Sequence, residues 1–301
     1  MRVFVTGASG YLGSAIAARI ARAGHEVFGL TRHEAHAAPI AAAGVHPVVG
    51  DVDQPEPFLA TLRNADAVVH VAIAEHDADQ HDLKALSAIR DAALDGRVRR
   101  VLYTSNLWVY GDTGQQVVDE DTPLNPVQLV KWRSAHEEFA LDLVDHEVDV
   151  VVFRPGIAYG EFRGIVGAMF AMARDEGEVR WPGPGDNAWA LVHRDDIAEA
   201  YRLALEYARG GERYILADES AVTARQVAEA VARAANVPAR AWERAEVVAT
   251  LGAFGEALMT STRASAARAR RELGWTPRHR QFVDEVDLLW REWQESRQPV
   301  A

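Results

Sequence analysis

Short, continuous runs of apolar residues alternate with helical patterns through the first two-thirds of the chain. Six of these runs predict β-strands, at 3–5, 26–30, 45–49, 67–71, 101–103 and 148–153. Because the runs contain few polar positions, we expect strands that are covered on both faces, as in a parallel sheet between helices. An alanine-rich helix is predicted at 14–23, ended by Gly24. Right-handed crossovers between such strands give a doubly wound α/β fold.

The pattern changes beyond Arg154. Several glycines and the Trp-Pro-Gly-Pro-Gly run at 181–185 predict turns and loops there. Helical patterns return at 196–209, 223–235 and 262–273, and we expect the last residues, 295–301, to be frayed. This change in pattern predicts a second, smaller unit after the sheet.

Composition narrows the function classes. The 301 residues carry a formal net charge of −12, which argues against a general nucleic-acid binder. Cysteine is absent, which excludes disulfides, thiolate zinc sites and a cysteine nucleophile. We see no secretory signal and no apolar run long enough to span a membrane, so a cytoplasmic protein acting on a small molecule is expected.

A glycine-rich loop lies between the first predicted strand and the first predicted helix. It runs Thr6-Gly7-Ala8-Ser9-Gly10-Tyr11-Leu12-Gly13. At this junction Gly7 permits the tight turn, Gly10 lets the backbone approach a pyrophosphate, and Gly13 lets the helix pack closely on the strand. The free N–H groups of the helix N-terminus complete the anion site. We therefore predict a nicotinamide dinucleotide held by the loop, including Ser9, Tyr11 and Leu12.

The end of the second strand predicts the cofactor type. An acidic residue at that place would bind the ribose 2′-hydroxyl of NAD. This chain has Thr31-Arg32 instead, and a guanidinium with a neighbouring hydroxyl suits a 2′-phosphate. We predict NADP, with NAD as the alternative.

Further segments resemble the extended short-chain dehydrogenase/reductase superfamily, in its NAD-dependent epimerase/dehydratase branch. The resemblance covers nearly the whole chain and rests on the glycine loop, Gly50-Asp51-Val52, His70-Val71-Ala72, Tyr103-Thr104-Ser105 with Val109-Tyr110-Gly111, Arg154-Pro155-Gly156 with Tyr159-Gly160, 193–198, and 272–277. It implies a Rossmann-type doubly wound parallel sheet with a smaller C-terminal α/β substrate lobe. The dinucleotide-binding lobe would comprise 1–156 and 190–220, and the substrate-binding lobe 157–189 and 221–301.

The same resemblance implies further cofactor contacts. Asp51 and Val52 would meet the adenine. The strand-end turn of Val71, Ala72 and Ile73 would lie beside the ribose. The resemblance also places Thr104, Pro155 and Gly156 at the cofactor, the last two along the segment that passes the nicotinamide.

The family's usual catalytic pair, a Tyr and a Lys spaced as YxxxK, is absent. The residues four before the only lysines, Lys84 and Lys131, are Gln80 and Val127. Depending on the register of the helix that should carry the pair, the two positions hold Val130 and Ser134 or Leu129 and Arg133. Four residues before Tyr110, where the family places Ser or Thr, this chain has Asn106.

Three functions are compatible with these residues. The first is an NADP-dependent oxidoreductase, epimerase or dehydratase that acts on a small carbonyl, hydroxyl or sugar-type substrate with a non-standard proton donor. Arg133 would replace the lysine, with Ser105, Asn106 and Tyr159 as further catalytic candidates and Tyr110 as an alternative donor. The second is redox-neutral chemistry (isomerisation, elimination or cyclisation) on the same scaffold, with Trp108 and Trp132 shaping the cleft. The third is a non-catalytic NADP sensor.

Other features predict structure rather than chemistry. The histidines and acids at 74–82 match no trusted metal spacing, so no metal is expected and a solvated acidic loop is favoured. His136 shares a helix face with Arg133 and Trp132, so it is a possible proton donor, but a surface histidine on a charged helix is the favoured interpretation. Helices predicted at 83–94 and 127–144 would pack on the sheet or, as the alternative, form a homodimer contact.

Overall fold

A computed structural model describes residues 1–161, 163–220, 222–279 and 281–295. Seven strands form the central sheet: β1 (Arg2–Thr6), β2 (Glu26–Thr31), β3 (His46–Val49), β4 (Ala67–His70), β5 (Arg100–Thr104), β6 (Asp149–Pro155) and β7 (Arg213–Leu216). All six strand pairings are parallel, in the order β3-β2-β1-β4-β5-β6-β7. The predicted Rossmann-type fold is therefore confirmed.

Helices cover both faces of the sheet and continue beyond it. They are α1 (Tyr11–Arg22), α2 (Ala37–Ala42), α3 (Glu56–Arg63), α4 (Ala78–Asp95), α5 (Arg133–Leu141), α6 (Gly164–Asp175), α7 (Arg194–Tyr207), α8 (Ala224–Ala235), α9 (Arg244–Leu258), α10 (Ala267–Leu273) and α11 (Phe282–Glu295). Four 3₁₀ segments in the described part of the chain are Glu34–His36, Leu107–Tyr110, Gln128–Val130 and Asp142–His146.

The register places the polar strand ends side by side. Thr6 at the end of β1 pairs with His70 at the end of β4, and Thr104 closes β5 next along the sheet. The sheet order reverses at β1, which has β2 on one side and β4 on the other. Ligands of open α/β sheets bind outside the carboxyl ends of the strands at such a switch point.

A second hydrophobic core lies beyond the sheet. Tyr159, Phe170, Val227 and Phe282 belong to it and are buried, with apolar neighbours from the segments after the sheet. Short strand pairs join this region to the rest: Ile157–Tyr159 with Leu191–His193, Val179–Pro182 with Ala239–Trp242, Ala188–Trp189 with Val222–Thr223, and Val117–Val118 with Arg263–Ala264. The proposed lobe boundaries stay a prediction.

Sequence patterns were less accurate after residue 155. The expected loop beginning near Gly164 contains helix α6, and α9 and α11 were not predicted. The predicted helix at 262–273 is wrong in its first half, since Arg263–Ala264 is a strand and α10 begins at Ala267. Residues 296–301, most of the tail expected to fray, lie outside the described part of the chain.

The two helices considered for a homodimer contact pack against each other. The predicted helix at 127–144 is divided into a 3₁₀ turn, α5 and a second 3₁₀ segment. Leu86 and Ile89 are buried within the chain, whereas Leu83 and Leu94 are exposed. The homodimer stays a prediction.

Two searches of the described residues gave negative results. None of the helices there is long and apolar enough to cross a membrane. In the same ranges, His, Asp and Glu side chains form no group of three or more arranged to hold a metal ion.

Candidate active site

The glycine loop makes close backbone contacts that leave no room for side chains. Gly7 has a positive φ of 68°, and a Cβ there would lie 2.7 Å from Cα of Ala72. A Cβ on Gly13 would lie 2.0 Å from the carbonyl oxygen of Gly7. The loop therefore needs glycine both for its turn and for the packing of α1 on β1.

Helix α1 presents an uncapped N-terminus to this loop. Gly10 is the N-cap residue, so it provides no side-chain cap, and the first turn contains no acidic residue. The unpaired N–H groups and the positive end of the helix dipole suit an anion. Gly10 to Gly13 line a cleft of about 530 Å³ that runs along the carboxyl edge of the sheet. These features fit the pyrophosphate of a dinucleotide.

All predicted cofactor residues line this one cleft. They are Gly7, Ser9, Gly10, Tyr11, Leu12, Gly13, Thr31, Arg32, Asp51, Val52, Val71, Ala72, Ile73, Thr104, Pro155 and Gly156. They come from the ends of β1, β2, β4, β5 and β6 and from the segment after β3. The tertiary structure thus brings together segments that lie as far apart in sequence as Gly7 and Gly156.

The end of β2 forms one end of the cleft. The hydroxyl of Thr31 donates a 3.2 Å hydrogen bond to Oγ of Ser9, which joins β2 to the glycine loop. Arg32 is exposed and lines the cleft. It forms no ion pair with any described carboxylate, so its guanidinium is available for an anionic group.

Three of the four catalytic candidates lie at the other end. Ser105, Asn106 and Arg133 line the cleft beside Thr104 and Pro155. Oδ1 of Asn106 accepts a 3.0 Å hydrogen bond from the backbone N–H of Trp108 and caps the 3₁₀ turn that follows. Its amide nitrogen has no partner within the described ranges, and neither has the buried Oγ of Ser105. This wall of the cleft therefore contains unused hydrogen-bond donors.

The fourth candidate, Tyr159, does not line the cleft. Its ring is fully buried in the second core, edge-on to His193 and to Phe282. Burial raises the pKa of its phenol well above the ordinary value. Tyr110 is also buried, accepts a 2.7 Å hydrogen bond from Nη1 of Arg154, and has its pKa raised by burial to about 12. Neither phenol is placed to give a proton to a ligand in the cleft.

Arg133 is the first residue of α5, which follows the 3₁₀ turn Gln128–Val130. Its Nη1 donates to the carbonyl oxygen of Thr104 at 2.8 Å and to the hydroxyl of Tyr103 at 3.2 Å. The guanidinium also lies over the ring of Trp132, 4.5 Å from its centroid. Of the two helix registers considered for the missing Tyr-Lys pair, the register with Leu129 and Arg133 puts a cation at the cleft. Trp132, which was expected to shape the cleft, does not line it.

The buried carboxylate of Asp82 lies next to Arg133. Asp82 lies 5% exposed on α4, with Oδ1 3.9 Å from Nη1 of Arg133 and 3.2 Å from Nε2 of His70. Its Oδ2 accepts a 2.8 Å hydrogen bond from Tyr103 and lies 2.8 Å from Nδ1 of His136. Burial opposes ionisation, but the hydrogen bonds from His136 and His70 and the charge of Arg133 hold the pKa of Asp82 below its ordinary value.

The Asp82 cluster connects to the glycine loop. Nδ1 of His70 lies 2.7 Å from Oγ1 of Thr6. That oxygen accepts hydrogen bonds from the backbone N–H groups of Val71 and Ala72, at 3.2 and 3.3 Å. Since the Asp82 carboxylate can only accept, Nε2 of His70 donates to it and Nδ1 accepts from Thr6. One continuous network therefore connects Arg133 at one end of the cleft with Thr6 and the Val71–Ala72 turn beside the glycine loop.

Sequence reasoning missed this cluster. It assigned Asp82 to a solvated loop and His136 to the surface, and both assignments are wrong because the two residues are buried on α4 and α5. One signal was available: Asp82, Leu86 and Ile89 share a helix face at spacings of four and seven, and the other two are apolar. An acid in an apolar stripe needs buried partners.

This architecture is also found in a known protein family. Residues 3–217 match the model of the NAD dependent epimerase/dehydratase family. The chain therefore belongs to this family, a class of epimerases, dehydratases and reductases, and is itself an enzyme of that class.

Two relatives align over nearly their full lengths. A 4-hydroxy-2-methyl-3-oxo-4-farnesyl-3,4-dihydroquinoline-1-oxide ketoreductase from Stigmatella aurantiaca is 28% identical, covering 94% of this chain and 95% of its own. A 3-diazoavenalumate denitrifying reductase from a Streptomyces species is also 28% identical, covering 94% of this chain and 98% of its own. Among solved structures, dTDP-glucose 4,6-dehydratase from Streptomyces venezuelae with NAD bound superimposes with a TM-score of 0.85 at 23% identity, covering 99% of this chain and 98% of that one. This last likeness shows the fold.

Proposed function

We propose that this chain is an NADPH-dependent carbonyl reductase that works without the usual tyrosine, with Arg133 in place of the lysine and Asn106, at the family's Ser/Thr position, as the second donor. The observation that carries the proposal is a cleft wall with free donors and no free base. Oxidation of an alcohol, the first step of an epimerase or dehydratase, needs a group that removes the hydroxyl proton. Ser105, Asn106 and Arg133 are not bases, and behind them both oxygens of Asp82 and both nitrogens of His70 are already engaged. His81 lines the same cleft but is paired through Nδ1 with Asp53, a residue of the segment after β3.

Reduction of a carbonyl group needs only hydrogen-bond donors at this wall of the cleft. When bound in the cleft, NADPH would supply a hydride for the carbonyl carbon. The amide N–H of Asn106 and a free N–H of Arg133 stabilise the negative charge that develops on the oxygen. The oxygen then takes a proton from water in the open cleft, which gives the alcohol and releases hydroxide to the solvent. The two relatives described above are a ketoreductase and a denitrifying reductase, which also favours reduction.

The choice of NADP rests on Arg32. An exposed guanidinium without an acidic partner, next to the Thr31 hydroxyl, can bind a 2′-phosphate in a charge-assisted contact. We expect Arg32→Ala to raise the Kd of NADPH about 10- to 100-fold, as for the loss of one such contact. The Kd of NADH should not change. Arg22→Ala, which removes an exposed arginine at the other end of α1, is the control. Tighter binding of NADH by the parent chain, unaffected by Arg32→Ala, would contradict NADP.

The reduction itself is tested by NADPH oxidation with a panel of aldehydes and ketones, with the alcohol identified by mass spectrometry. Asn106→Asp keeps the oxygen that caps the 3₁₀ turn and removes the amide donor, so we expect kcat to fall about 100-fold, as for one oxyanion donor. Arg133→Met should cost a similar factor, and Arg133→Lys should recover part of it. Tight NADPH binding without consumption by any carbonyl would reject the proposal and favour redox-neutral chemistry or a sensor.

A further inference from the structure

The region of the cleft beyond Asn106 has an aromatic wall, formed by Trp108 and Phe254. Their ring centroids are 6.0 Å apart and the rings meet edge to face at 82°. Phe254 is 38% exposed although it is large and apolar, and both residues line the cleft. Ile165 of α6 lines the same region. An exposed aromatic face inside a cleft is available for a ligand.

A break in α9 places Phe254 there. Gly252 has φ 54° and ψ −135° inside this helix, so the residues after it follow a different axis. A Cβ on Gly252 would meet nothing within 4 Å, which means that the glycine is needed for its backbone conformation and not for space. Because of this interruption, Phe254 does not continue the helix formed by the residues before Gly252.

The charges of the cleft do not suit a second nucleotide. Arg32 and Arg133 are the only arginines or lysines that line it in the described part of the chain, and they lie at opposite ends. The charge of Arg133 is balanced by Asp82 at 3.9 Å. A sugar nucleotide brings a diphosphate of its own, which would need a further cation beside the substrate.

Three further arginines that could have supplied this cation are not among the residues that line the cleft. Arg174 pairs with Asp175 at 2.5 Å, and Arg180 pairs with Glu176 and with Glu178. Nη1 of Arg163 donates to the backbone oxygen of Ser9 at 3.3 Å. Among the described residues, the substrate end is therefore mainly apolar and aromatic, with polar groups on the Ser105–Asn106–Arg133 wall and an uncharged hydroxyl at Thr262.

We propose that the substrate is an uncharged aromatic carbonyl compound whose ring packs on Trp108 and Phe254 while its carbonyl faces Asn106 and Arg133. The identity of the reacting group rests on the proposed reductase function, whereas the aromatic, uncharged character rests on the wall and on the charges alone. Trp108 and Phe254 would then be specificity-determining residues.

The test compares ligands matched in size. Isothermal titration of the NADP⁺-loaded protein with 2-acetonaphthone, with its fully saturated decalyl analogue and with UDP-glucose should rank the naphthyl ketone first. Phe254→Ala should weaken naphthyl ketone binding about 10-fold, as for the loss of one aromatic pair, and leave the Kd of NADPH unchanged. Phe254→Tyr should retain most of the affinity. Tyr207→Ala, which removes a 62% exposed aromatic residue at the end of α7, is the control.

Equal binding of the saturated analogue, tighter binding of UDP-glucose, or full affinity in Phe254→Ala would each overturn this inference. A second measurement, NADPH oxidation with the same ketone, separates the two proposals. Phe254-dependent binding without any turnover would reject the reductase and leave the aromatic site standing. NADPH-dependent turnover of aliphatic ketones with no preference for the aromatic ketone would reject the site and leave the NADPH-dependent reduction standing.

Discussion

Nη1 of Arg133 lies 3.9 Å from Oδ1 of Asp82, and both side chains are about 95% buried. The pair joins the start of α5 to α4 behind the cleft wall. Asp82 lines the cleft, but each of its oxygens already has a hydrogen-bond partner. It therefore acts on a ligand through Arg133. Asp82 is thus a positioning residue.

Asp82→Asn tests this role. The amide keeps the shape but loses the charge. In either orientation it places an N–H group where an acceptor is required, facing His70 and Arg133 or facing His136 and Tyr103. We expect unfolding to become easier by roughly 2 kcal/mol, from the unsatisfied buried groups. We also expect kcat to fall about 10-fold or more, with less effect on the KM of NADPH, because Arg133 loses its support. Asp91→Asn, on an exposed position of the same helix, is the control.

A double-mutant cycle distinguishes positioning from a general loss of stability. If Asp82 acts through Arg133, Asp82→Asn should reduce kcat little further in an Arg133→Met background. Fully additive losses of kcat would show that the two residues act independently.

The pH dependence of the chemical step provides a second prediction. Burial raises the pKa of Tyr11, the tyrosine that lines the cleft in the described part of the chain, and also that of Tyr103 behind it. The proposed mechanism takes its proton from water. We therefore expect the single-turnover rate of NADPH oxidation to vary by less than about threefold between pH 6 and 10. A tenfold fall per pH unit above some point in this range would reveal a titrating acid and contradict the mechanism.

The glycine loop allows a matched comparison. Gly7 and Gly24 both have positive φ, 68° and 92°, so alanine costs roughly 1 kcal/mol of backbone strain at either place. A Cβ on Gly24 meets nothing within 4 Å, whereas one on Gly7 would lie 2.7 Å from Cα of Ala72. Gly7→Ala should weaken NADPH binding at least about 10-fold by displacing the Val71–Ala72 turn. Gly24→Ala should lower the melting temperature slightly and leave the Kd of NADPH unchanged; equal Kd values would contradict the close-approach argument.

The buried carboxyl group of Asp218 should make the stability of the fold depend on pH. Burial, with a smaller contribution from the charges of Glu219 and Glu285, raises the pKa of this carboxyl to about 6, although hydrogen bonds from Ser220 oppose the shift. Because the folded state then binds more protons than the unfolded state between about pH 4 and 6, this group lowers stability as pH rises through that window. Asp218→Asn keeps an acceptor for Ser220 and removes the effect, so it should stabilise the chain at pH 7.5, by on the order of 2 kcal/mol, and much less at pH 4.5.

Melting temperatures at both pH values measure this difference. Asp186→Asn, which removes an exposed carboxylate, is the control for the change of net charge. If Asp218→Asn shifted the melting temperature by the same amount at pH 4.5 and 7.5, the raised pKa of Asp218 would be refuted.

Much of the fold could be predicted because its signals are local. The strands that became β1, β2, β4, β5 and β6 are apolar runs with mostly buried residues, and such a strand is recognised from the run alone. The run at 45–49 also became a strand, but β3 lies at the sheet edge and is mostly exposed, so the expected burial on both faces is wrong there. The edge strand β7 is short and was missed. Helices α6, α9 and α11 lie in the second core, where glycines such as Gly164 and Gly252 occur beside helical segments and resemble loops in sequence.

By itself the sequence determined the Rossmann-type sheet, the glycine loop, the NAD-dependent family and the absence of a YxxxK pair, because each depends on residues that are neighbours along the chain. Only the tertiary structure decided what occupies the vacant catalytic positions. Asp82 and His136 are in contact although they lie 54 residues apart in sequence. Arg133 on α5 is oriented by the carbonyl oxygen of Thr104 at the end of β5. Tyr159 is buried in the second core. Spacing along one helix fixes which residues share a face, whereas the partner of that face is set by the packing of distant elements.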